Sequence, residues 1–176
     1  MAFRKENAYS ARMDNDDWTQ HFRQSWEKAV VAYQAGNREP TGYPATIGCS
    51  AQEMYDFAED SDELSFDTAL LITAVRRDYF LVVQRGQPSP LVIPASEFPP
   101  KEAELAGFKW LPRIILKARC KLRGELPAEL MYCCGGDRAF LKKVNIHPAD
   151  FLRYVWAAHD DDQKIVGYVV AQASRL

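Results

Sequence analysis

The chain has no run of about 18 uninterrupted apolar residues; its most hydrophobic stretch is broken by Arg76, Arg77 and Asp78, so nothing reads as a membrane span. Excess positive charge is missing too. Lys and Arg number 22 against 24 Asp and Glu, a formal net charge of −2, which argues against a nucleic-acid partner. Histidine is scarce, and neither His21 nor His159 has a partner at ligand spacing. Cys133 and Cys134 are adjacent, so the CxxC spacing of zinc and redox sites is absent. No H-E-x-x-H, Ser-His-Asp order, paired glycosidase carboxylates, Walker loop or dinucleotide fingerprint is present. No metal and no cofactor is therefore expected. The opening MAFRKENAYSARMDNDDW is charged and lacks the apolar core of a secretory leader, and the expectation is a reducing, cytoplasmic setting. Internal repeats and low-complexity tracts are absent.

What remains is the composition of a globular protein: 176 residues, 47% hydrophobic and 12% aromatic, long enough to bury on the order of 70% of the unfolded surface without staples. The organising stretch is 110–141, WLPRIILKARCKLRGELPAELMYCCGGDRAFL. Pro112 suits a first helical turn, where its missing N–H would have no partner anyway, and good helix formers follow to Leu122 before Gly124 ends the run. Arg113, Lys117 and Lys121 stack at i, i+4, i+8 beside the apolar row Ile114, Ala118, Leu122. The basic row is expected to be a solvated face or, should it flank the glycine turn further on, part of a phosphate or carboxylate site. An irregular return then leads through Gly135 and Gly136 to Asp137, read as the N-cap of a helix carrying Phe140, Leu141 and Val144.

Upstream, residues 1–13 are polar, aperiodic and expected to be flexible. Asp14, Asp16 and Asp17 precede Trp18, Phe22, Trp26, Ala29, Val30 and Tyr33, an amphipathic helix closed by Gly36 whose aromatic stripe reads as core. The segment 37–48 is loop chemistry, rich in Pro and Gly. Ser50 with Glu53 forms a capping box for a helix burying Met54, Phe57 and Ala58, and the acidic exit EDSDE reads as a solvated loop.

Residues 66–84, FDTALLITAVRRDYFLVVQ, fit one long helix or two strands. The helix is favoured because Arg76-Arg77-Asp78 lacks the signal of a tight hairpin, with Ser65 or Asp67 as cap and Gly86 as stop, although Val82 and Val83 suit a strand. On it Asp78 is flanked by Leu71, Ala74, Val75, Leu81 and Val82, so its carboxylate is expected to be buried and either paired or protonated. Arg76, Arg77 and Asp78 then read as a structural ion network, or as a general base with an anion clamp. Residues 87–100, with five prolines around Leu91 to Ile93, fit a short edge strand or extended cover. His147-Pro148 opens a helix burying Phe151, Leu152, Val155 and Trp156, and a last helix starts near Asp160, its Gly167 a mark of close packing.

The runs LPRIILKARCKLRGEL, YCCGGDRAFL and HPADFLRYVW with the acidic DDDQKIVGYV resemble the bacterial domain-of-unknown-function family 5069, over roughly the C-terminal 70 residues. ATIGCSAQEMYDFAED and TALLITAVRRDYF resemble the amino-terminal extension of longer members. The resemblance supplies no catalytic or ligand residues.

Two constellations remain. In the 133–138 turn, glycines before a helix let backbone N–H groups approach an anion, and Arg138 adds charge; against this, Asp137 sets a carboxylate on the same amides, and a plain capped helix start is the simpler reading. Cys133 or Cys134 as a nucleophile near His147 competes with the role of a small buried hydrophobe, and a metal set of Cys133, Cys134, Asp137 and His147 is weaker still. The expected fold is mainly α: one domain over 14–176 of six or seven helices with a minor extended or β element, 14–98 being the extension and 99–176 the part resembling the family. The expected function is a helical module that binds a small anionic molecule or a protein, as a monomer or weak homodimer. An enzyme of unknown reaction using Asp78, the 133–138 turn and His147 is the alternative. The candidate ligand-binding residues are Arg76, Arg77, Asp78, Arg113, Lys117, Cys133, Gly135, Gly136, Asp137, Arg138 and His147.

Overall fold

The computed structural model describes residues 15–40 and 48–175. The flexible end read at 1–13, most of the 37–48 loop, and the side chains of Asp14, Asp16 and Asp17 lie outside the described residues. Seven α-helices and one small hairpin make up the regular structure among them. The helices are α1 (Asn15–Gln34), α2 (Ala51–Glu59), α3 (Phe66–Val82), α4 (Leu111–Arg123), α5 (Gly135–Lys143), α6 (Pro148–Ala158) and α7 (Asp162–Ala173). None is long and apolar enough to cross a membrane.

The aromatic stripe of α1 is core, as its spacing predicts: Trp18, Phe22, Trp26 and Ala29 are buried. Phe22 and Trp26 pack edge-on or tilted against Phe57 of α2 and Phe66 at the start of α3. The capping box opens α2, with Ser50 Oγ accepting from the Glu53 amide and Glu53 Oε2 from the Ser50 amide. Its inward residues are Met54, Phe57 and Ala58. Ser65 caps α3, which runs unbroken through Arg76, Arg77 and Asp78, and Gly86 at φ 74° ends the excursion. Helices α3, α4 and α6 pack pairwise at the centre, around Ile72, Ile114, Phe151 and Leu152.

The structure corrects three expectations and decides between the two readings of 87–100. Asp78 is not buried: its side chain is 60% exposed and its ion-pair contact is Arg77, at 3.7 Å. Only one side of α3 is covered, and Leu71 and Val82, on the stripe of Asp78, face solvent with it. The β element is not at Leu91 to Ile93. It is an antiparallel pair, β1 (Glu104–Leu105) and β2 (Phe108–Lys109), joined by Ala106 and Gly107, both at positive φ as a type I′ turn requires. The 87–100 segment is an extended cover with a single 3-10 turn, tied down where the Ile93 amide donates to the Glu125 carbonyl. Lys117 and Lys121 are no solvated face, since each is 2% exposed. Gly167 packs against nothing; the close approach is at Gly136, where an added Cβ would sit 2.4 Å from the Trp110 ring.

Candidate ligand pocket

The glycine turn is filled from within. Helix α5 begins at Gly135 with Cys134 as its N-cap, so Asp137 lies inside the first turn rather than capping it. Its fully buried carboxylate accepts from the Cys133 amide and the Trp110 indole N–H, each at 2.8 Å, and from Lys117 Nζ at 2.5 Å. Trp110 closes over Gly136, and the Lys117, Trp110 and Cys133 donors beside the turn are taken by the protein's own carboxylate. Arg138 is spent as well: it donates to Asp60 (2.7 Å), Glu63 (2.6 Å) and the Cys133 carbonyl (2.8 Å). The acidic loop is at the surface as read, with Glu59, Asp62 and Glu63 exposed, and Asp60 and Glu63 reach Arg138 of α5 from it.

Asp78, Cys133, Cys134 and His147, named for an enzyme, each make their own local contacts. Cys133 is buried, and burial first, then the Asp137 charge, pushes its thiol up to about 12, the opposite of an activated nucleophile. Cys134 receives a contact from Lys117 Nζ at 3.2 Å. His147 is exposed and caps α6, its Nδ1 accepting from the Ala149 amide. Among the described residues no three His, Cys, Asp or Glu side chains gather as a metal set would. Arg113 donates to the Pro99 carbonyl at 2.7 Å and holds the cover segment to α4. Arg77 lies over the Trp18 ring beside Asp78.

Arg76 is different. It projects from α3 into a cavity of about 500 Å³ between α2, α3, the end of α4 and the return that follows it. The residue is 3% exposed. Nη1 donates to Gln84 Oε1 at 2.8 Å, and Gln84 is itself anchored by donating to the Arg123 carbonyl. Two glycines make room for the guanidinium. A Cβ on Gly124 would lie 2.6 Å from Nη2 and one on Gly48 3.3 Å from Nη1, and both residues have positive φ, at 73° and 71°. Nε has no hydrogen-bond partner, and among the described residues no carboxylate pairs with Arg76. Burial lowers its pKa, the expected response of a cation taken out of water.

The rest of the wall sorts into one closed ion pair and apolar surface. Lys121 Nζ is 2.5 Å from Glu53 Oε1 and lies over the Phe57 ring. Phe80, Val92, Leu126, Leu130 and Met131 supply the apolar lining, with Val92 contributed by the cover segment. Asp56, half-buried on α2, accepts from Gln52 Nε2 at 2.7 Å, and burial raises its carboxyl to about 6. Cys49, at the entrance to α2, is fully buried and burial drives its thiol up. None of Asp78, Cys133, Asp137, Arg138 or His147 lines this cavity.

Of the residues expected to bind a ligand, then, the cavity contains one, Arg76. Reasoning from the chain alone missed Gly48, Glu53, Asp56 and Gly124, and named Lys121 only within the basic row and not at this cavity. A signal for Lys121 was present: seven residues beyond Ile114, it points within about 20° of that core position. Gly48 and Gly124 carried none, because nothing local distinguishes a glycine that serves a loop or a helix end from one that also makes room for a distant arginine.

Residues 99–175 match the family model of a domain of unknown function (DUF5069). No curated protein and no solved structure matches the chain. The cavity straddles the limit of that match: Gly48, Asp56, Arg76 and Phe80 lie upstream of it, and Lys121, Gly124, Leu130 and Met131 within it.

Proposed function

We propose that this protein binds a small acid with an apolar body in the cavity between α2, α3 and α4, the acid group being received by Arg76. One observation carries the reading: a guanidinium 3% exposed, held in place by Gln84, with Nε unpartnered and, among the described residues, no carboxylate in ion-pair contact, the nearby Glu53 charge offsetting only part of the burial. Burying an unpaired cation costs several kcal/mol, and the natural remedy is an anion with two oxygens that fits the planar fork. A volume of about 500 Å³ is in the ordinary range for small-molecule sites, and the apolar lining calls for a carbon body rather than a bare inorganic anion. The Lys121–Glu53 pair is closed on itself and leaves Arg76 as the receptor.

Titration calorimetry with acetate, 4-methylpentanoate, 3-phenylpropionate and inorganic phosphate tests this directly. The larger carboxylates bind, acetate and phosphate bind more weakly, and Arg76→Gln weakens 4-methylpentanoate or 3-phenylpropionate by about 10- to 100-fold, the equivalent of about 1.5–3 kcal/mol for a charged hydrogen bond. Equal binding by wild type and a folded Arg76→Gln variant, or no binding of either larger acid, refutes the reading.

A further inference from the structure

We infer that residues 88–93 gate the acid-binding cavity: a strap latched on Glu125 that swings away to admit the acid and closes over it once it has reached Arg76. The inference rests on the acid-binding role proposed for Arg76 and adds how that site is entered.

The receptor is shut in. Arg76 is 3% exposed, and its unpartnered Nε is buried. An anion reaches that donor only after part of the wall has moved, and the walls differ in what holds them. Helix α2 is fixed by the buried Met54, Phe57 and Ala58, α3 by Ile72, Val75 and Phe80, and the return after α4 by Tyr132 and Cys133. The cover segment has no such anchor. It supplies Pro88 and Val92 to the lining, yet no residue from Gln87 to Pro94 is buried, and Leu91 and Val92 are 59% and 63% exposed. Little apolar burial therefore resists its departure.

Its hydrogen bonds are few for a chemical reason. Pro88 and Pro90 carry no N–H, and the Leu91 amide donates within the strap, to the Ser89 hydroxyl. Among the described residues, the two bonds that tie 88–93 to the rest of the protein both end on Glu125: Ser89 Oγ donates to Oε1 at 2.8 Å, and the Ile93 amide donates to the Glu125 carbonyl at 2.9 Å. Glu125 is itself fixed, being 5% exposed with Arg123 Nε donating to its Oε2 at 2.6 Å. It directly follows Gly124, the glycine that makes room for the Arg76 guanidinium, so latch and receptor meet at one turn of chain. The two ends suit a swing: Gly86, at φ 74° with open space around it, lies before the strap, and the buried Phe98 holds the chain beyond it. An apolar body in the cavity offers Val92 a surface to close on, which favours the shut form after binding.

Ser89→Ala removes one of the two latch bonds without touching the cavity lining. Rates are read by NMR line-shape analysis of titrations with 3-phenylpropionate and 4-methylpentanoate, and opening is read separately as hydrogen exchange of the Ile93 amide in the free protein. In Ser89→Ala the association and dissociation rate constants rise together by about tenfold, the low end for a hydrogen bond to a charged group, while Kd stays within about twofold of wild type. The Ile93 amide exchanges faster by a similar factor. Ser89→Thr, which keeps the hydroxyl, stays near wild type in every respect. An equal rise in both directions is the mark of a gate, because the strap is shut before and after binding and its opening limits entry and exit alike. Unchanged binding rates in Ser89→Ala, or a rise in dissociation alone, overturn the gate and leave the role of Arg76 standing. Failure of wild type to bind either acid overturns both.

Discussion

Removing the carboxylate of Asp137 should be among the most damaging single changes available outside the apolar core. Asp137 is fully buried and is the shared acceptor for Lys117, itself 2% exposed, for the Trp110 indole and for the Cys133 amide. Asp137→Asn keeps an oxygen for the two neutral donors but strips the charge from a buried ion pair, a change that costs about 3–5 kcal/mol when one partner is left behind. Asp137→Ala adds the loss of the neutral donors' partner, about 1–3 kcal/mol for each group left dry. Against a total stability of about 5–15 kcal/mol, the alanine variant is expected to be close to unfolded. Equilibrium urea denaturation of wild type, Asp137→Asn, Lys117→Met and the Lys117→Met/Asp137→Asn double variant closes a double-mutant cycle. The double variant should recover much of what Asp137→Asn loses, because no charge is then stranded. If Asp137→Asn stays within about 1 kcal/mol of wild type, a range usual for surface changes, or if the double variant is as unstable as the worse single, the buried-lock account of the 133–138 turn is wrong.

Two other changes follow from the same geometry. Gly136→Ala drives a methyl to 2.4 Å from the Trp110 ring and should cost about 1–3 kcal/mol, whereas Gly135→Ala meets its nearest atom at 3.7 Å and should be neutral or slightly stabilising; thermal unfolding of the pair checks the contrast, and equal effects would contradict it. Asp56 titrates at about 6 when folded against 3.8 as the ordinary value, so between those limits the native state holds more protons than the unfolded chain and stability falls as pH rises through that window. Asp56→Asn should therefore match wild type near pH 4 and exceed it by about 2 kcal/mol at pH 7, screening at this half-buried site trimming the roughly 3 kcal/mol that the shift represents. A variant less stable than wild type at pH 7 contradicts the assigned burial.

Where local chemistry decides the outcome, the helices were legible. Ser50 with Glu53, Pro112 before Gly124, and His147-Pro148 each begin or end a helix by satisfying or removing particular backbone groups, and each does so here. The continuity of α3 was legible for a negative reason, the absence of a turn signal at Arg76-Arg77-Asp78. The hairpin at Ala106-Gly107 was not, because an alanine at positive φ has no local mark and is held there by the pairing of Glu104 with Lys109. Burial of charge was the main failure. Periodicity ranks faces by hydrophobicity, so it set Asp78 among its apolar neighbours and Lys117 in water. Which side of a helix is covered depends on partners distant in sequence: Asp137 and Cys134 receive Lys117, and Glu53 receives Lys121. The candidate site suffered for the same reason. Arg76 could be named from the chain, but the cavity it enters is assembled from segments up to 84 residues apart, the separation of Gly48 and Tyr132 (132 − 48 = 84), and no spacing rule reaches that far.

The most direct measurement is the NMR signal of the Arg76 side-chain Nε–H group, assigned by its loss in Arg76→Lys and followed while 4-methylpentanoate or 3-phenylpropionate is added. A saturable shift of that resonance, with signals of Phe80 and Met131 moving on the same binding curve, is the predicted result. An Arg76 Nε–H that stays in place while either compound binds elsewhere on the protein contradicts the account.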